Sequence, residues 1–370
     1  MIANIKISTN KYISIFGFVI AVLLLACLLI FPNYFNIIQY LLFAVGLLSV
    51  GLPHGAIDHL LIVGLYHDKI NYQFILRYIA LFFAYFILWI LLPNLSMLIF
   101  IAYSIWHFGQ CDMQEWKLSQ SNNFKIVLWG TLLFGIILIG HLNETNSIIA
   151  NLGVMPLSIP VSIANKIGPI LALIGLLWSF VERKKAMTYS VLMLSIGLFL
   201  PLLSSFAVYF LAQHSLYGWM HLKKGLNTNN LQLYKKALPF NLGAIFFFAL
   251  TIYLVQSGLL KTQKTDYTAL FFMFIACISL PHVLAMNKFY QKTFKILLSR
   301  VFFIQTDGLT TRGGHAHRLC NQIFICNSGS VNVLCSDSKE ITNYYLQDST
   351  FALFVPKGIW VELEFQSPAL

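Results

Sequence analysis

Apolar residues fill the first three hundred positions in long blocks broken by short polar interruptions, whereas the last seventy alternate apolar and polar side chains over short runs. A helix needs roughly 20 apolar residues to cross the hydrocarbon core of a bilayer. The blocks near 13–31, 37–54, 74–92, 95–110, 125–141, 166–181, 187–201, 204–222, 240–258 and 268–286 fit that length, several of them barely, so eight to ten spans are predicted. The fold class expected is an all-α polytopic membrane protein over 1–298, followed by a small β domain over 299–370.

Composition strengthens this reading. With 58% apolar residues, 10% charged and a mean hydropathy of +0.75, the long segment is too apolar for a water-soluble domain. With the amino terminus inside and ten crossings, seventeen Lys and Arg fall on the cytoplasmic side and only Lys166, Lys261 and Lys264 outside. That bias predicts a multi-pass protein of a bacterial inner (plasma) membrane with both its amino terminus and its tail in the cytoplasm. It also accounts for the net charge of +11 through anionic lipid, with no nucleic acid partner. The first block is about 19 residues long and lacks a small-residue cleavage site, so it reads as a retained span. Six cysteines without C-x-x-C spacing read as packing residues.

The chemistry lies in the histidines. His54, His107, His214, His221 and His282 fall toward the inner ends of four different predicted spans, at similar depth. Ionisable groups at membrane depth are costly and mark functional sites by default, and imidazole is the commonest protein ligand for redox metals. An all-histidine set with open positions suits an iron that must meet dioxygen. Asp58 and Asp112 follow motif histidines and are candidates to orient a ligand imidazole, or to cap helices at the interface. Trp106, Phe108, Tyr217 and Trp219 flank the histidines as candidate walls of a substrate tunnel. His141 and His67 read as structural. No lysine lies inside an apolar span core, which argues against a retinal-binding pump; a transporter using a histidine relay stays open.

GLPHGAID (51–58), WHFGQCD (106–112), QHS (213–215) and LPH (280–282) resemble the membrane-embedded Brp/Blh family of bacterial β-carotene 15,15'-dioxygenases, over about residues 35–295. The resemblance implies cleavage of the central double bond of β-carotene, or of a related polyene, by dioxygen to give retinal, with Fe2+ as cofactor. It implies His54, His107 and His214 as ligands, His282 as a ligand or near neighbour, and a retinal-binding rhodopsin as a downstream partner. The family commonly carries a second histidine four residues after the QHS histidine, where this chain has Gly218. His221, seven residues on, is about 10 Å further along a regular helix, so His214 and His221 do not easily reach one ion.

The tail has strand-like runs with turns expected at Gly308, Gly313/Gly314 and Ser328/Gly329. RGGHAH (312–317) and VPKGIW (355–360) resemble the cupin-type nucleotide-sugar 3,4-ketoisomerases of the WxcM/FdtA kind. By that resemblance His315 and His317 are acid/base candidates and Arg312 lies near the substrate, without a metal. The segment is short for such a domain, and a partial cupin is expected to need a homodimer partner or the membrane domain for stability. A membrane-tethered nucleotide-sugar isomerase is therefore the other enzymatic reading.

Overall fold

A computed structural model describes residues 11–63, 71–118, 123–258, 267–293 and 302–367, apart from 319, 339 and 348–351. The chain divides into two compact units at residue 297. The first is helical: α1 (Lys11–Ile30), α2 (Phe35–Gly46), α3 (Leu52–Gly55), α4 (Leu60–Val63), α5 (Tyr72–Leu91), α6 (Pro93–Glu115), α7 (Asn123–Phe134), α8 (Leu142–Asn151), α9 (Val161–Val181), α10 (Lys185–Gly197), α11 (Leu202–Tyr209), α12 (Ser215–Gly225), α13 (Asn230–Gln256) and α14 (Tyr267–Thr293). Local sequence explains several boundaries. Asn71 and Asn229 each accept a backbone N–H in the first turn of α5 and α13, and Pro93 opens α6 where its missing N–H costs nothing.

Among the described residues six helices are long and apolar enough to cross a membrane: Tyr12–Ile30, Pro32–Gly55, Tyr72–Leu91, Val161–Val181, Asn230–Gln256 and Tyr267–Gln291. A seventh is added if Asn123–Ile139 and Leu142–Asn151, bent by 88°, form one broken span. The expected spans at 95–110, 187–201 and 204–222 are helical but outside this set. α10 has only 13 residues, and α6 and α11–α12 are diluted by buried polar side chains such as His107, Asp112, Gln213 and His214. Two of the candidate histidines, His107 and His214, thus lie on segments outside the set, and the other two, His54 and His282, on helices inside it. Large apolar side chains stand exposed, among them Leu76, Leu98 and Val181, which is compatible with a multi-pass membrane protein.

Two close approaches set the position of α6. A Cβ at Gly109 would collide with the Ile126 carbonyl, and one at Gly130 with the Ile105 carbonyl, so α6 and α7 touch backbone to backbone two residues from His107. Three π-helical turns, Leu47–Gly51, Gly135–Ile139 and Phe210–His214, interrupt the α-helical phase. Two of them abut the candidate histidines His54 and His214, the position in which such turns commonly serve a site.

The second unit holds β1 (Thr310–Ala316), β2 (Gln322–Ile325), β3 (Val331–Ser336), β4 (Ile341–Leu346), β5 (Ala352–Val355) and β6 (Trp360–Phe365). They form a four-stranded sheet in the order β1-β6-β3-β4 and a separate β2-β5 pair, antiparallel throughout. Period-two alternation buries Val331, Val333 and Cys335 on β3 against Val361, Leu363 and Phe365 on β6. Gly313 and Gly314, expected as a turn, lie within β1 as a bulge. Both have positive φ, and a Cβ on Gly313 would come 2.8 Å from the Val361 carbonyl oxygen.

Candidate metal centre

His54, His107, His214 and His282 form a closed four-membered ring of imidazoles. Neighbouring centroids are 5.5 Å apart for His54 and His214, 4.9 Å for His214 and His107, 5.1 Å for His107 and His282, and 5.0 Å for His282 and His54. Each ring stands nearly perpendicular to its neighbours, with interplanar angles of 77–88°. Imidazoles bound to one ion through a nitrogen at about 2 Å place their centroids about 3 Å from it and about 4.5–5 Å from each other. The observed spacing is that or slightly wider. Among the described residues no three His, Cys, Asp or Glu side chains already stand in ligand geometry, so an ion would have to draw the four imidazoles slightly together.

The nitrogens fit this use. His54 Nδ1 bonds the Gly51 carbonyl at 2.6 Å, and His282 Nδ1 bonds the Asp58 carboxylate at 2.9 Å, which leaves the Nε2 of each without a partner. Both nitrogens of His107 and Nδ1 of His214 are likewise buried and unpartnered. Buried polar groups are normally satisfied, and an imidazole anchored through one nitrogen with the other free is the usual state of a metal ligand.

Proline immediately precedes two of the four histidines, in Leu-Pro-His at 52–54 and again at 280–282. A proline inside a helix takes away the donor for the carbonyl four residues back. For Pro53 that carbonyl belongs to Ser49, and the Tyr234 hydroxyl donates to it instead. In the turn before Pro281, Tyr103 donates to the Ala276 carbonyl at 2.6 Å and Tyr78 to that of Ile278 at 3.2 Å. Tyr78 also donates to Asp58, so one tyrosine braces both α14 and the carboxylate that holds His282.

The remaining candidates separate. Asp58 orients His282, not His54. Asp112 hydrogen-bonds no imidazole among the described residues: its Oδ2 accepts from Trp129 at 2.8 Å, Tyr209 at 2.9 Å and Gln213 at 3.1 Å, which ties α6 to α7 and to the segment ahead of His214. His221 stands outside the ring, with its two nitrogens 2.9 Å from Glu115 and from the Tyr290 hydroxyl. Phe108 packs over His214 with centroids 4.2 Å apart. Trp106 packs half-buried into the core, Tyr217 bonds Ser14 at 2.6 Å, and Trp219 donates to Asn230. His141 is held by the carbonyls of Ile137, Gly197 and Leu200; His67 lies outside the described residues.

A cavity of about 350 Å³ opens against the ring. Its walls run from Phe100 to Phe108 on α6 and from Phe274 to Val283 on α14, each about 12–14 Å of helix. On both helices the histidine lies at the carboxy-terminal end of the wall, so the cavity extends away from the ring in one direction. Phe82, Phe83, Phe206, Phe210 and Phe247 make the wall aromatic and apolar. Of the four aromatic residues singled out in the sequence, Phe108 alone is part of it. Tyr78 and Tyr103 sit on the wall too; their signal was their placement on an otherwise apolar helix face.

Asp58→Asn keeps the shape of the side chain but weakens the hold on His282 Nδ1. The expected result is a 10–100-fold loss of metal affinity with the fold retained, read by metal content after dialysis against graded chelator. Unchanged affinity would assign Asp58 to bracing Tyr78 alone.

In the β unit, Arg312, His315 and Gln322 line a cleft of about 510 Å³ between β1 and β2, walled by Phe324, Val361 and Leu363. His315 and His317 approach each other with their Nε2 atoms 3.1 Å apart. The six cysteines are free thiols, four of them buried.

Residues 284–370 match the family described as WxcM-like, C-terminal. The TDP-4-oxo-6-deoxy-alpha-D-glucose-3,4-oxoisomerase of Aneurinibacillus thermoaerophilus is 32% identical over 74 residues, 20% of this chain and 53% of that enzyme, so the chain spans about half the isomerase's length. The β-carotene 15,15'-dioxygenase of the uncultured marine bacterium 66A03 is 24% identical over 271 residues, 65% of this chain and 90% of that protein. No solved structure matches the chain. Residues 45–290, well over half of the sequence and inclusive of all four ring histidines, match the β-carotene 15,15'-dioxygenase family, and the chain belongs to it.

Proposed function

We propose that this protein cleaves the central 15,15' double bond of β-carotene with dioxygen to give two molecules of retinal, at a ferrous iron held by His54, His107, His214 and His282. The observation that carries the proposal is the ring of buried imidazoles with unpartnered nitrogens at the end of an apolar cavity. When bound, iron supplies the activation of dioxygen, which the side chains cannot provide. The protein's own part is positioning. The Gly51 carbonyl and the Asp58 carboxylate fix the orientation of His54 and His282. The aromatic wall aligns an extended hydrocarbon beside the ring and excludes water from it, and proximity of that kind converts an encounter into a unimolecular step. A carotene dissolves in lipid, so the bilayer delivers it; the excess of cytoplasmic Lys and Arg favours the inner membrane with both termini inside. The test is retinal formation in β-carotene-producing cells that express the chain. Unchanged β-carotene with the protein present in the membrane fraction would refute central cleavage.

A second reading concerns the tail alone, because Arg312 and His315 line its cleft. We infer that the cleft binds a nucleotide sugar. The full chain is expected to turn over a TDP-linked 4-keto sugar or bind it without turnover, and His315→Ala to abolish either. No binding by the unaltered chain, measured calorimetrically, would leave the tail a structural role.

A further inference from the structure

α13 runs antiparallel to α14. Leu233 and Ala237 pack in one cluster with Met286, Phe289 and Tyr290, whereas Phe248 meets Phe271 and Phe274 at centroid distances of 5.8 and 5.3 Å. Asn241 lies four residues after Ala237 and His282 four residues before Met286, which brings the two to one level. Both line the apolar cavity. Asn241 is nine-tenths buried, and its side-chain oxygen has no hydrogen-bond partner among the described residues. A buried amide oxygen without a partner on a hydrocarbon-like wall destabilises the fold and calls for a reason.

Carotene offers that amide nothing, since it is hydrocarbon throughout. Cleavage at the ring changes this, because each severed carbon becomes an aldehyde whose oxygen accepts hydrogen bonds and donates none. The oxygen and nitrogen of a primary amide are nearly isosteric, and a half-turn of the side chain places its two N–H donors where the unpartnered oxygen stands. We propose that Asn241 donates a hydrogen bond to the aldehyde oxygen of the retinal half lying in the cavity, and so distinguishes product from substrate at the level of the histidine ring. The proposal rests on the central-cleavage reading for the identity of its ligand.

The test is binding by the full chain in nanodiscs, stripped of metal, so that catalysis plays no part. The ligands are all-trans-retinal and the same polyene with a methyl group in place of the aldehyde. The unaltered protein is expected to bind retinal more tightly, with the carbonyl stretch of the bound aldehyde shifted to lower frequency than in hydrocarbon solvent. Asn241→Leu is expected to lose about tenfold in retinal affinity and to keep its affinity for the hydrocarbon. Equal affinities in the unaltered protein, or a leucine variant that keeps the preference, would overturn the proposal. If the leucine variant fails to insert, the carbonyl band of the unaltered protein decides alone, and an unshifted band is the negative. Retinal formation in cells is scored separately: a chain that prefers retinal but cleaves no β-carotene loses the cleavage reading, while an active chain without the preference loses the role of Asn241.

Discussion

Replacing His107 by alanine is expected to abolish retinal formation and the retention of iron without unfolding the protein. Of the four ring histidines it is the clearest probe, because neither of its nitrogens bonds any other group among the described residues. A side chain that is only structural earns its burial through such bonds, as His141 does with three backbone carbonyls. Removing an unpartnered polar group from a core is close to neutral, apart from the space it leaves. His107→Leu, which fills much of that space, should therefore keep the thermal stability of the metal-free protein and equally lose iron. His221→Leu is the contrasting control. It removes the imidazole that bridges Glu115 and the Tyr290 hydroxyl at 2.9 Å each, which is expected to cost about 1–3 kcal/mol of stability, while the four-histidine ring stays whole and purified protein that survives still retains iron. Iron per chain, measured by elemental analysis alongside melting temperature, separates the two. Iron retained at full occupancy in His107→Ala would remove His107 from the site and undo the four-histidine reading.

The parts of this architecture that were legible in the sequence are those set by one residue at a time. Apolar block length marks the long apolar helices such as α5 and α13, and the motif histidines mark themselves by being ionisable groups in apolar surroundings. What was not legible depends on phase and on pairs. The π turns at Leu47–Gly51 and Phe210–His214 shift the face on which His54 and His214 emerge, and no periodicity argument reveals one extra residue in a turn. Asp58 lies one helical turn after His54, which suggests that pair, but the chain leaves the α-helix at Ala56 and the carboxylate reaches His282 on α14 instead. Tyr217 and Trp219 neighbour the histidines in sequence yet point into other packing. The cavity wall comes from phenylalanines on α5, α11, α13 and α14 that carry no local mark. Position along a helix is a one-dimensional property and can be read; facing is not.

Gly218 gives the sharpest remaining test, because stability and metal binding should respond to it in opposite directions. A Cβ at this position would sit 3.2 Å from His54 Cδ2 and 4.0 Å from its Nε2, the nitrogen left free for an ion. Family relatives commonly place a histidine here; in this chain the imidazole of His54 lies against the bare backbone and His282 closes the ring. Gly218 is inside α12 and does not have positive φ, so alanine suits its backbone and should add about 0.5–1 kcal/mol of helix stability. Without metal, His54 is held by its bond to Gly51 and by edge-to-face ring contacts, and can yield by the few tenths of an ångström required. With iron bound it cannot yield without lengthening its bond to the ion. Gly218→Ala is thus expected to raise the melting temperature of the metal-free protein while lowering iron affinity several-fold. Gly218→Leu puts further carbons into the space of the imidazole, and displacement by about 1 Å is expected to cost on the order of a hundredfold in retinal formation. An alanine variant with unchanged iron affinity and unchanged turnover would mean that His54 does not ligate through Nε2. A variant destabilised without metal would mean that the ring is already rigid before iron arrives, held by the edge-to-face packing of its four imidazoles and not by the ion they are proposed to share.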